Sequence, residues 1–154
     1  MSDRISKHLS LKEATKSNTA TRLEIKNEPR ELDLVRMIEI AEKVFEPLRE
    51  WVGGPIKVNS FYRSPELNSA IGGSKNSQHC IGCALDIDDT FGHKTNAQMF
   101  EYIKCNLDYD QMIWEFGDLD NPDWVHISYI SEDANRRRCL RAYKKSGKTK
   151  YEII

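Results

Sequence analysis

The chain has 154 residues, 39% hydrophobic and 31% charged, with a formal net charge of −1. That length suits one domain with a real core. The near-zero charge gives no overall pull toward nucleic acid or an anionic membrane, and no apolar run approaches the roughly 20 residues that span a bilayer.

In chain order, Ser10-Leu11-Lys12-Glu13 reads as a capping box opening a short helix. The polar stretch 16–22 reads as a connection. From Leu34 the apolar positions Met37, Ile38, Ala41, Val44, Phe45, Leu48 and Trp51 keep helical spacing. One face of a helix over about 32–52 should therefore pack on the core. Pro47 sits inside it and is expected to kink it or end it early, and Gly53-Gly54-Pro55 stops it. Residues 56–63 alternate as a strand. Ser64 and Pro65 supply the N-cap and first turn of a short helix that Gly72-Gly73 ends.

Residues 74–82 read as loop, 83–88 as a strand, and 95–107 as a second amphipathic helix with Met99, Tyr102 and Ile103 inward. Two more strands are predicted at 111–116 and 124–130, joined by a loop. The tail reads as a hairpin turning at Ser146-Gly147. Helices interleaved with hairpin-linked strands predict an α+β domain with flanking helices on a mostly antiparallel central sheet. The chain 1–154 is read as a single domain, with its core at about 8–130 and a C-terminal hairpin at 136–154.

The N-terminal residues are polar and lack the apolar core of a secretory signal. Cytoplasmic synthesis is expected, with action elsewhere requiring release by lysis or delivery within a virion. Cys80, Cys83, Cys105 and Cys139 are then expected to be thiols.

The stretch SQHCIGCALDID, residues 77–88, overlays two patterns. One is the pair Cys80 and Cys83; the other is His79 with Asp86. Catalytic zinc takes three N, O or S protein ligands and keeps one position open. Gly82 lets the chain turn sharply after His79. Asp86 then lies on a strand with Leu85 and Ile87 pointing the other way. A carboxylate between buried apolar residues needs a partner, and a metal is one. His126, between Val125 and Ile127, shares a strand face with Trp124 and Ser128, so two strands can present Asp86 and His126 side by side. Zinc acidifies the water it binds, and a base must take the proton. Asp123 is the first choice, if the loop at Pro122 turns its carboxylate inward, and Glu115 the second. Arg63 can face a developing oxyanion. Each residue has a plainer reading: a hydrogen-bonded strand histidine, a turn-forming aspartate, an Arg63 paired with Glu66.

SQHCIGCALDI (77–87) resembles the S-x-H-x-x-G-x-A-x-D signature of zinc D-Ala-D-Ala carboxypeptidases and L-alanyl-D-glutamate endopeptidases, phage endolysins among them. DWVH (123–126) is similar to that family's second motif, and VNSFYRSPELN (58–68) to its arginine-bearing strand and short helix. The upstream TATRLEIKNEP and the PLR segment at 47–49 also fit, so the resemblance covers roughly residues 8–130. It implies a small hedgehog/DD-peptidase-like α+β domain that uses Zn2+ to hydrolyse peptide bonds in the peptidoglycan stem. Carried over by position, it makes His79, Asp86 and His126 the zinc ligands and Asp123 the general base. It makes Arg63 the group that stabilises the transition state, with Ser77, Gln78 and Trp124 joining Arg63 as substrate contacts. A monomer is expected, with a stem peptide as partner and neither nucleic acid nor membrane insertion. Two features depart from the pattern. Cys80 and Cys83 fill positions it leaves variable, and Phe61 stands where relatives often have Gly.

Three rival readings differ in class. A Cys80/Cys83 redox pair would want a helix N-terminus after it, and here a strand follows. A structural zinc site would pair two cysteine dyads, whereas Cys105 and Cys139 stand alone. A non-catalytic virion or tail component could keep the fold and bind wall peptides. The run Arg136–Lys150 has eight Lys or Arg and no acid. It reads as a solvated hairpin, with attraction to anionic wall polymers as the functional alternative.

Overall fold

The computed structural model describes residues 3–154; Met1 and Ser2 of the expected single domain lie outside them. A short ribbon opens the chain, β1 (Arg4–Ser6) with β2 (Leu9–Ser10). Helix α1 (Leu11–Thr15) follows with Ser10 as N-cap, its side chain accepting from the Glu13 amide. The stretch expected to be a connection instead forms helix α2 (Asn18–Leu23), capped by Ser17. Half of its residues, Asn18, Thr19 and Thr21, are weak helix formers, so the cap and the burial of Ala20 help to decide the matter locally.

The long periodic segment is one run in three parts: α3 (Glu31–Ile40), a π-turn (Ala41–Phe45) and α4 (Glu46–Val52). Pro47 does not end it. The wider turn just before Pro47 lets the Glu46 amide donate to Ala41, and the ring falls in the first turn of α4. There its missing N–H costs least. The extra residue in that turn also rotates the face. Met37, Ile40, Ala41, Val44, Phe45, Leu48 and Val52 are buried; beyond the turn Val52 replaces the expected Trp51, and Ile38, before it and also expected inward, is exposed. Trp51 instead stacks on Tyr102 with ring centroids 4.3 Å apart.

Strand β3 (Lys57–Ser60), helix α5 (Pro65–Ala70), strand β4 (Ala84–Asp88) and helix α6 (Asn96–Asn106) follow. After them come β5 (Gln111–Glu115), β6 (Trp124–Ser128) and a terminal hairpin of β7 (Arg138–Lys145) and β8 (Lys148–Ile153). The region expected to be loop before β4 holds one 3-10 turn, Gln78–Ile81. The hairpin turns where predicted, with both Ser146 and Gly147 left-handed.

Six strands form one sheet in the order β3-β4-β6-β5-β7-β8. Every pairing is antiparallel except β5 with β7. The α+β reading with a mostly antiparallel sheet therefore holds. Side chains alternate across it. Leu85, Ile87, Met112, Trp114, Val125, Ile127 and Cys139 point to the face covered by helices and join Met37, Phe45, Phe100 and Ile103 in the main core. The other face carries a smaller cluster, Ile113, Leu140 and Ala142 with Phe116 against it. This second face positions the site.

Candidate metal centre

Register places the polar residues of the second face. Asp86 of β4 lies opposite His126 of β6, and His126 lies opposite Ile113 of β5. One step along, Trp124 lies opposite Glu115. Directly opposed residues share a face, so Asp86, His126, Trp124 and Glu115 all look the same way. His79 arrives from the 3-10 turn. Ser77 caps that turn, and Gly82 closes it in a left-handed conformation, φ 78°. A Cβ on Gly82 would lie 2.6 Å from the Asp33 carbonyl oxygen, so only glycine fits between the two motif halves.

Ligating atoms of His79, Asp86 and His126 all lie within 4.8 Å of one another. His126 Nδ1 is 2.9 Å from Asp86 Oδ1, and His79 Nε2 is 3.3 Å from Asp86 Oδ2. The other nitrogen of His79, Nδ1, donates to the Phe61 carbonyl at 2.7 Å. That bond fixes the tautomer and leaves a lone pair on Nε2. His79 Nε2 is buried without a hydrogen bond, although Asp86 is near. Burial lowers the His79 pKa against the opposing pull of Asp86. Burial also opposes the charge on Asp86, but the two imidazoles outweigh it and hold the carboxyl well below the usual range.

Arg63 follows β3. Its backbone amide donates to the His79 carbonyl at 3.2 Å, and its guanidinium reaches Ser77 Oγ at 3.5 Å. The pairing with Glu66 is absent among the described residues, and Arg63 Nε is buried without a partner. Burial lowers its pKa while Asp86 opposes that shift; a guanidinium so placed still carries its charge. Asn27 holds the segment around it. Its Oδ1 accepts from the Ser64 amide at 2.7 Å, and its Nδ2 donates to the carbonyls of Thr15 and Tyr62. Nothing in a lone Asn-Glu-Pro marks that role in advance.

The site opens as a cleft. One cavity of 430 Å³ is lined by His79, Asp86, His126, Glu115, Arg63 and Trp124, with Ser77 also in its wall. Asp123 is not brought to it. The Asp123 side chain is exposed, and its amide donates to the Glu115 carbonyl at 2.9 Å. Gln78 is also turned away, donating to Asp110 at 2.9 Å. Glu115, the second choice for the base, is nearly buried and faces the cluster. Burial pushes its carboxyl up to about 7, with His126 opposing and Asp86 adding to the shift.

Cys80 and Cys83 line neither this cavity nor the ligand cluster. Burial raises both thiols, so they lack the lowered pKa of a redox pair.

Two imidazoles and one carboxylate beside an open cleft form the donor set of a catalytic rather than a structural zinc site. The class defined by fold and site is a metal-dependent hydrolase. The chain matches the family described as Peptidase M15 over residues 7–128, and it belongs to that family of zinc-dependent metallopeptidases. No curated protein matches it. No helix among the described residues is long and apolar enough to cross a membrane.

Proposed function

We propose that this metallopeptidase hydrolyses peptide bonds in the peptidoglycan stem, with zinc held by His79, Asp86 and His126. The observation that carries the metal assignment is the buried, unpartnered His79 Nε2, aimed at a carboxylate and a second imidazole. An unmet polar atom in so dry a place costs about 1–3 kcal/mol, and a cation satisfies it. Zinc, when bound, would acidify the attacking water and polarise the scissile carbonyl.

The chain's own groups supply the rest. Glu115 takes the proton from the attacking water on a carboxylate oxygen and returns it to the leaving amine. Its place on the ligand face, across from Trp124, favours it over Asp123. Arg63 donates to the oxyanion that develops on the carbonyl oxygen. Trp124 and Ser77 line the cleft as substrate contacts. The stem-peptide substrate rests on the family resemblance of the three motifs, and the protein would meet it after lysis or as part of a virion.

Metal analysis of purified protein together with turbidity of sacculi tests this. Stoichiometric zinc and clearing of the suspension are expected. Sacculus binding without peptide release by zinc-loaded protein would instead mark a non-catalytic wall-binding relative.

A further inference from the structure

The cleft does not stop at the metal centre. A second cavity, also 430 Å³, shares Arg63, Asp86 and Trp124 with the first and runs away from them toward the N-terminal helices. Lys16, Asn18, Tyr62, Leu67 and Ile71 line it. The first cavity runs the opposite way across the sheet, where Gln111, Ile113, Leu140 and Tyr151 line it. Ile113 faces Leu140 across the parallel β5–β7 pairing, and Ala142 faces Tyr151 across β7–β8. The ligand face thus continues as an apolar shelf onto the terminal hairpin. That hairpin lies beyond residues 7–128, the span shared with the family.

Each arm alone has the volume of a pocket for a small organic ligand, far more than one terminal alanine fills. An enzyme that removes a C-terminal residue needs a cation at a closed end to seat the free carboxylate. Arg63, the cation shared by both arms, sits at their junction. Among the residues lining the sheet-side arm it is the only cation. In the other arm Lys16 is exposed at the rim.

Resting on the peptidase reading above, we propose that the protein is an endopeptidase whose substrate crosses the metal centre from one arm to the other. Tyr151 and Leu140 hold the chain where it continues past the scissile bond. The reaction is plain hydrolysis: the C–N bond breaks, the acyl carbon gains hydroxyl and the amine gains hydrogen. Tyr151 is a specificity residue here, its phenol half-exposed and its pKa raised by burial and by Glu115 nearby.

The test uses zinc-loaded full-length protein and defined stem peptides, with free or blocked ends, analysed by mass spectrometry. Peptides extended in both directions, acetylated and amidated, should be cut at an interior bond as efficiently as their free-ended forms. Tyr151→Ala should raise KM for the long peptides roughly tenfold, and Tyr151→Phe should restore most of the loss. Tyr143→Ala, on the opposite face of the hairpin, should not raise it. Release of only the terminal residue, loss of cleavage on amidation, or equal effects of Tyr151→Ala and Tyr143→Ala would overturn endo action while leaving the peptidase reading intact. No cleavage of any peptide, free or blocked, would overturn both.

Discussion

Asp86 on β4 and Asp110 just before β5 are both carboxylates withdrawn from water, with side chains 16% and 3% exposed. Each lies beside basic groups, and each is held below the usual carboxylate range. The partners differ. Asp110 accepts from Arg136 Nε at 3.0 Å, Arg136 Nη2 at 2.8 Å, the Arg136 amide at 3.0 Å and Gln78 Nε2 at 2.9 Å. Its oxygens are met by the protein itself. Asp86 has one good hydrogen bond, to His126, and beside it His79 Nε2 goes without. Two buried charges therefore serve different ends. One closes a network that ties the entry of β7 to β5, and the other leaves donor atoms for a ligand to complete.

The largest effect should come from emptying the incomplete centre. His126→Ala is expected to abolish zinc binding and to lower hydrolysis by about 10³-fold or more, so that added zinc no longer raises the unfolding temperature. Metal analysis and calorimetry on the same samples check both halves. Zinc retained by the variant would mean that His126 is only a structural partner of Asp86, as Arg136 is of Asp110.

Next comes the base. Glu115→Gln should cost about 10²- to 10⁴-fold in kcat and retain zinc. With Glu115 as the base, Asp123→Ala should stay within about threefold of wild type, since Asp123 is exposed and does not line the cleft. The reverse ranking would restore Asp123 to the role its sequence position suggests.

That pair shows where reading the sequence reached its limit. The meeting of His79, Asp86 and His126 was legible through the resemblance of 77–87 and 123–126 to the family's motifs, since the spacing alone left each a plainer reading, and Gly82 marked the turn after His79. The strands and the Ser146-Gly147 turn were legible through alternation and turn chemistry. The choice between Asp123 and Glu115 was not legible, because loop geometry is set by distant contacts. Here the Asp123 and Phe116 amides pair with the Glu115 and Ala142 carbonyls, and Phe116 is forced left-handed, φ 58°. Tyr151 was invisible as a cleft residue, because β7 joins β5 in parallel and no local pattern announces such a pairing. The π-turn before Pro47 likewise put Val52 inward in place of Trp51, which a fixed helical period cannot anticipate.

Asp110→Ala should be the largest change that touches stability rather than chemistry. Removing the carboxylate takes the acceptor from the Arg136 amide, its guanidinium and Gln78, a loss of about 3 kcal/mol. For a chain of this size that is roughly 6–12 °C in unfolding temperature. Hydrolysis measured well below the transition should fall far less than in Glu115→Gln. Equal losses of activity would show that the Asp110 network positions His79 through Gln78.

The smallest effect is the pH dependence of that same network, and its sign follows from the direction of the shift. The folded-state pKa of Asp110 is about 2, below the ordinary aspartate value near 3.9. Burial raises it, but Arg136 and Gln78 together lower it more. A carboxyl whose folded pKa is depressed contributes fully above its unfolded pKa and loses that contribution as pH falls through the folded one. Stability should therefore hold down to about pH 4 and decline toward pH 2. Because the Arg136 side chain is 52% exposed and solvent screens it, the contribution should be about 1–2 kcal/mol. Chemical unfolding of wild type and Asp110→Asn, both metal-free, between about pH 2 and pH 6 isolates it. The two curves should converge as acid is added. A constant gap across that range would mean that Asp110 contributes through neutral hydrogen bonds, and the contrast with Asp86 would then rest on charge as well as on unmet atoms.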